Sequence, residues 1–129
     1  MTAIQPELWV EPAGAAIAFY TAAFGATVLH QVGDGDDVVA QLAVGDAAFW
    51  VAAASADAGR FSPTAIGGAT GRTLLVVDDP DASVERALAA GAIERSPIAD
   101  EHGWRLGRII DPFGHEWELG KPLRTWPPA

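Results

Sequence analysis

The sequence predicts an α+β fold in which two βαβββ modules form a curved mixed sheet around a cleft, with the helices outside. Two observations carry this. The order strand, helix, strand, strand, strand occurs twice along the 129 residues, and the two copies can be laid over one another. An offset of 67 places Val10 on Val77, Ile17 on Val84 and Thr21 on Leu88. An offset of 68 places Phe49 on Trp117, Trp50 on Glu118 and Val51 on Leu119. Gly25 falls on Gly91 at an offset of 66, so small insertions separate the copies. Internal repetition of one supersecondary unit is a strong architectural signal. Each unit alone leaves one sheet face uncovered, so the two are expected to pack as a single domain over 1–129. Module one is placed at 4–57, a connector at 58–71, module two at 72–121 and a C-terminal tail at 122–129.

The elements follow in order. ELWVE (7–11) is a short apolar-rich run before Pro12, which reads as a strand. In AGAAIAFYTAAFGA, Ile17, Tyr20 and Phe24 recur at spacings of three and four, the period of an amphipathic helix, and Gly25 is placed to cap it. ATVLHQV (26–32) is a strand and GDGDD is turn chemistry. VVAQLAV (38–44), the turn GD and AAFWVAAA (47–54) form a β-hairpin. From Ser55 to Gly71 the chain is rich in Gly, Ala, Ser and Pro and reads as a connector. TLLVV (73–77) opens the second copy. DDPDASVERALAAGA follows as a helix with Asp79 as N-cap, Pro80 at the first helical position, Val84, Ala87 and Leu88 as the buried stripe and Gly91 as the stop. IERSPI is a short strand, ADEHG a loop, and WRLGRIID-PFG-HEWELG a second hairpin, with Trp117 and Leu119 packed under the second helix.

Composition narrows the chemistry. Half the residues are hydrophobic and 19% are charged, ordinary for a soluble globular chain. The formal charge of −9 argues against nucleic acid, whose phosphates need clustered Lys and Arg. No apolar run approaches the roughly 20 residues that cross a bilayer, and MTAIQPELWV lacks the basic and apolar regions of a secretory signal. There is no cysteine, which removes disulfides, thiolate nucleophiles and Cys-ligated zinc and fits a cytoplasmic setting. Neither G-x-S-x-G, nor a P-loop, nor a dinucleotide-binding fingerprint occurs.

The pieces AAIAFYTAAFGA, VVDDPDASVERALAAGA and DPFGHEWEL, in this order and spacing, resemble the vicinal oxygen chelate superfamily, the glyoxalase/bleomycin-resistance/dioxygenase group. The resemblance extends over about residues 4–121 and is greatest to the small PhnB-like and bleomycin-resistance-like members. In metal-using members, one position on the first and last strand of each module carries a His, Gln or Glu ligand. Carried over, these positions fall on Gln5, Trp50, Arg72 and Glu118. Gln5 and Glu118 conform, whereas Trp50 stands where a Glu is expected and Arg72 where a His is expected. An indole offers no lone pair to a metal, and a guanidinium stays charged and repels a cation. His30, His102 and His115 all lie elsewhere, and His115 is expected to serve the turn.

The resemblance therefore implies a small-molecule-binding protein that uses no metal or other cofactor. It is expected to sequester an aromatic natural product or antibiotic, with carboxylates to accommodate a positive charge. Strand alternation adds Glu7 and Trp9 to the face of Gln5, and Glu116 to that of Glu118. Arg72 is expected to pair with Glu118 in place of the metal, and Trp104, on the loop DEHGWR, to form a lid or rim. The alternative is an enzyme, a glyoxalase-like lyase or isomerase or a dioxygenase, using Ni, Zn, Mn or Fe at Gln5 and Glu118. Members commonly form homodimers, so a homodimer with the cleft near or across its interface is expected. Neither nucleic acid nor membrane is an expected partner.

Overall fold

A computed structural model describes residues 1–128 and has eight strands in two four-stranded mixed sheets. In chain order the elements are β1 (Glu7–Val10), α1 (Ala13–Phe24), β2 (Thr27–Val32), β3 (Val39–Val44), β4 (Ala47–Ala53), α2 (Pro63–Ile66), β5 (Arg72–Val76), α3 (Pro80–Ala90), β6 (Ile93–Glu101), β7 (Trp104–Ile110) and β8 (Glu116–Pro122). The strand orders are β1-β4-β3-β2 and β5-β8-β7-β6, so the two modules share one topology, with parallel β1/β4 and β5/β8 pairs and antiparallel hairpins. No helix among the described residues is long and apolar enough to cross a membrane.

Alternation along each strand gives each sheet two unlike faces. In sheet one, Leu8, Val10, Ala40, Leu42, Phe49 and Val51 are buried against α1; in sheet two, Leu75, Ile109, Trp117 and Leu119 are buried. These faces share one core. Phe24, Phe49 and Tyr20 surround the Trp117 ring at centroid distances of 4.8, 5.4 and 5.8 Å. Pairs of this kind add about 0.5–1.5 kcal/mol each beyond the area they bury. Trp117 thus packs on the first helix, not simply under the second as the sequence predicts, because α1 and α3 lie side by side and Arg86 Nε of α3 donates to the Ala22 carbonyl of α1 (2.7 Å).

The turn DPFGH is fixed by a buried carboxylate. Asp111, 2% exposed, accepts from Tyr20 Oη, Trp117 Nε1 (3.0 Å), Phe113 N (2.9 Å) and His115 N (3.0 Å). Burial, reinforced by the adjacent Asp111 charge, holds the Tyr20 phenol well above its ordinary pKa. A helix of module one is thereby joined to the last hairpin of module two.

Several expectations are corrected. The α1 stripe is rotated: Ala13, Ala16, Phe19, Tyr20 and Ala23 are buried, while Ile17 and Phe24 are only partly covered. GDGDD includes a single turn of 3-10 helix (Gly35–Asp37). The connector is structured, with a 3-10 turn at Ala56–Ala58 and α2, whose N-cap Ser62 accepts from Ala65 N (3.3 Å) with Pro63 at the first turn. ADEHG is mostly strand. Ala99, Asp100 and Glu101 pair with Leu106, Arg105 and Trp104, because Arg105–Asp100 (2.8 Å) and Arg108–Glu101 (2.7 Å) hold the acidic residues in place. The turn shrinks to His102 and Gly103, whose φ values of 54° and 82° suit a two-residue hairpin. Trp104 is consequently the first residue of β7 and does not lie on a loop.

Candidate functional site

The faces turned away from the core carry most of the residues singled out above, and on each of them two side chains donate to one oxygen of a third. On sheet one, register sets Gln41 of β3 opposite Trp50 of β4. Gln5, just before β1, accepts at Oε1 from Trp50 Nε1 (2.8 Å) and Gln41 Nε2 (3.0 Å). The His30 ring lies edge-on to Trp50 at 6.4 Å. On sheet two, register sets Arg108 of β7 opposite Glu118 of β8. Glu118 Oε2 accepts from Arg108 Nε (2.8 Å) and, more loosely, from Arg72 Nη1 (3.4 Å). Arg108 also donates from Nη2 to Glu101 (2.7 Å), while Glu116 Oε1 lies 3.5 Å from Arg72 Nε and 4.0 Å from Arg95 Nε. The carboxylates on both sides of Arg108, Glu101 first, raise its pKa further.

The predicted Arg72–Glu118 pair therefore meets, and Gln5 meets Trp50, a contact the sequence did not predict, but no hydrogen bond or ion pair joins one pair to the other among the described residues. Glu7 and Trp9 instead line a cavity of about 470 Å³ with Arg72 and Glu116, at the seam between the modules. His115 closes that seam, its Nε2 donating to the Trp9 carbonyl (2.8 Å). Trp104 shares the face of Arg108 and Glu118 but sits at its far end, packed edge-on against Trp126 at 5.3 Å.

The donor set suits a divalent metal poorly. The only metal-binding atom of Gln5 already receives two N–H donors, and Glu118 is held between two guanidinium groups. Among the described residues no three His, Asp or Glu side chains group as ligands. Sequence reasoning missed Gln41, Arg108 and Glu101. The repeat held the signal for two of them, since an offset of 67 carries Gln41 onto Arg108 as it carries Gln5 onto Arg72.

Comparison with known proteins agrees with the fold. The family model of the Glyoxalase/Bleomycin resistance protein/Dioxygenase superfamily matches residues 3–119. An uncharacterized protein of Mycobacterium bovis, Mb0911c, is 37% identical over 128 residues, covering 95% of this chain and 84% of the relative. Among solved structures, TioX from Micromonospora sp. ML1 superposes with a TM-score of 0.71 at 24% identity, over 96% of this chain and 98% of the other. A mutant of the fosfomycin resistance protein FosX from Listeria monocytogenes, in complex with Mn(II) and dihydroxypropylphosphonic acid, gives 0.72 at 15% identity, over 98% and 93%.

Proposed function

The chain belongs to the glyoxalase/bleomycin resistance protein/dioxygenase superfamily, and on that premise we propose that it is a metal-independent small-molecule-binding protein. Its ligand is an aromatic natural product or antibiotic. The observation that carries the reading is the occupation of the two remaining ligand positions: Gln5 Oε1 and Glu118 Oε2 each receive two N–H donors from the protein. Trp50 offers a partly exposed indole, between Ala48 and Ala52 on its face, as a stacking surface. The ion pairs of sheet two supply orienting charge.

The two polar faces are open, and apolar side chains next to them are unusually bare: Val28, Leu29, Val32 and Val39 in sheet one, and Leu74 and Val76 in sheet two. Grouped exposed aliphatic residues mark an association surface. We propose a homodimer in which the faces are covered and the cleft is completed across the interface; sedimentation equilibrium would show a monomer if this is wrong.

The metal question is decided by elemental analysis after dialysis against nickel, zinc, manganese and iron in turn. The expected result is far less than one metal per chain. The double variant Trp50→Glu with Arg72→His is expected to gain zinc or manganese affinity. Near-stoichiometric metal in the natural protein would overturn the proposal and favour hemithioacetal or catechol substrates.

A further inference from the structure

We propose that the seam between the modules is a second ligand site, built for a planar aromatic cation. It goes beyond the reading above, since it lies at the seam, away from Trp50, and needs no second chain. The edges of β1 and β5 face this seam, and neither strand pairs with the other: β1 pairs only with β4, and β5 only with β8. The cavity between them, about 470 Å³, is bounded by Glu7 to Trp9 on one side, Arg72 and Thr73 on the other, and residues 61–71 as a roof. That volume is within the usual range for small-molecule pockets, roughly 300–1,000 Å³.

The roof is anchored. Ser62 is 1% exposed and caps α2, and Pro63 packs on Gly114 so closely that a Cβ there would lie 2.9 Å from Pro63 Cβ. With φ at +89°, Gly114 is the residue this turn requires. Anchoring at Ser62 and Pro63 leaves Phe61 and Ile66 at the cavity, 46% and 53% exposed. Phe61 and Trp9 thus give two aromatic surfaces to one space.

Charge defines the occupant further. Glu116 is matched by Arg72 and Arg95, and Arg72 by Glu116 and Glu118. Glu7, also on the wall, makes no ion pair or side-chain hydrogen bond among the described residues. One unmatched carboxylate beside two aromatic rings, in a chain of net charge −9, selects a cation by ion pairing and by attraction to the ring faces. Trp9 Nε1 is the one buried side-chain polar atom without a partner among the described residues. An orphaned buried donor is costly, but this one is covered by protein and does not reach the cavity, so Glu7 and the two rings define the occupant.

The test uses a matched pair of probes, 1-methyl-6-methoxyquinolinium and neutral 6-methoxyquinoline, titrated at pH 7.5 in chloride-free buffer and followed by probe emission. The expected result is saturable binding of one probe per chain, with the cation favoured by about tenfold. Glu7→Gln should remove most of that preference, leaving only the share due to the rings and the overall charge, with little change for the neutral probe, and Phe61→Ala should weaken both; both residues are exposed, so both variants should fold. Equal affinity for the two probes, no saturation with either, or a preference that Glu7→Gln leaves undiminished would overturn the proposal. Binding that Trp50→Ala abolishes and Glu7→Gln leaves intact would also overturn it, placing the probe on the polar face and leaving the proposed function standing.

Discussion

Gln5, Gln41 and Trp50 in module one occupy the slots that Arg72, Arg108 and Glu118 occupy in module two, at offsets of 67, 67 and 68. Both trios place two donors on one oxygen. The first is neutral and the second ionic, and in the first the acceptor comes from the segment before the first strand, in the second from the last strand. The backbone repeat therefore conserves a convergence point without conserving its chemistry. The core is less even-handed. Tyr20 and Asp111 are joined, whereas an offset of 67 finds Ala87 and Val44, which cannot form a hydrogen-bonded side-chain pair.

That asymmetry gives the largest expected effect. Asp111→Ala removes the acceptor of four donors, none of which has another partner among the described residues, and should cost about 3–5 kcal/mol in urea unfolding. A loss below about 1 kcal/mol would mean that the turn holds itself. Tyr20→Phe should cost about 1–2 kcal/mol at pH 7. It should also flatten the alkaline limb of the stability curve. The Tyr20 phenol is raised in the folded state, so its contribution is complete below the unfolded pKa of about 10 and declines as pH climbs beyond it. Unfolding curves measured from pH 8 to 11 check the sign.

The two trios can be separated by salt. Glu118→Ala should cost about 1 kcal/mol at low ionic strength, discounted because its partners are partly exposed, and about half of that at 1 M NaCl. Gln5→Ala should cost about 0.5–1 kcal/mol at either salt concentration, since its bonds join neutral groups. Equal salt sensitivity in the two variants would show that the ion pairs are not what holds sheet two's face.

Much of this was legible in the sequence. Val10 on Val77 and Trp50 on Glu118 announced a duplicated unit, and Gly25 and Gly91 marked both helix ends, because periodicity and left-handed caps are local properties. The Arg72–Glu118 contact was also anticipated, although Arg108 is Glu118's closer partner. What escaped depended on register and on distant packing. Arg108 follows from the register of β7 against β8, but Glu101 could be placed beside it only once β6 was known to run on through Glu101, and His102-Gly103 is a weaker hairpin signal than Asn-Gly. Asp111 looked like an ordinary turn residue because its main partner lies 91 positions earlier.

The modules are fastened by Tyr20 to Asp111, Arg86 to Ala22 and His115 to Trp9, none of which depends on the peptide link at 67–71, a stretch that belongs to no helix or strand. Covalent order is thus separable from assembly. A gene encoding module two ahead of module one, or two genes encoding one module each, would specify the same set of fastenings, so rearranged or split versions of this chain are an accessible evolutionary route.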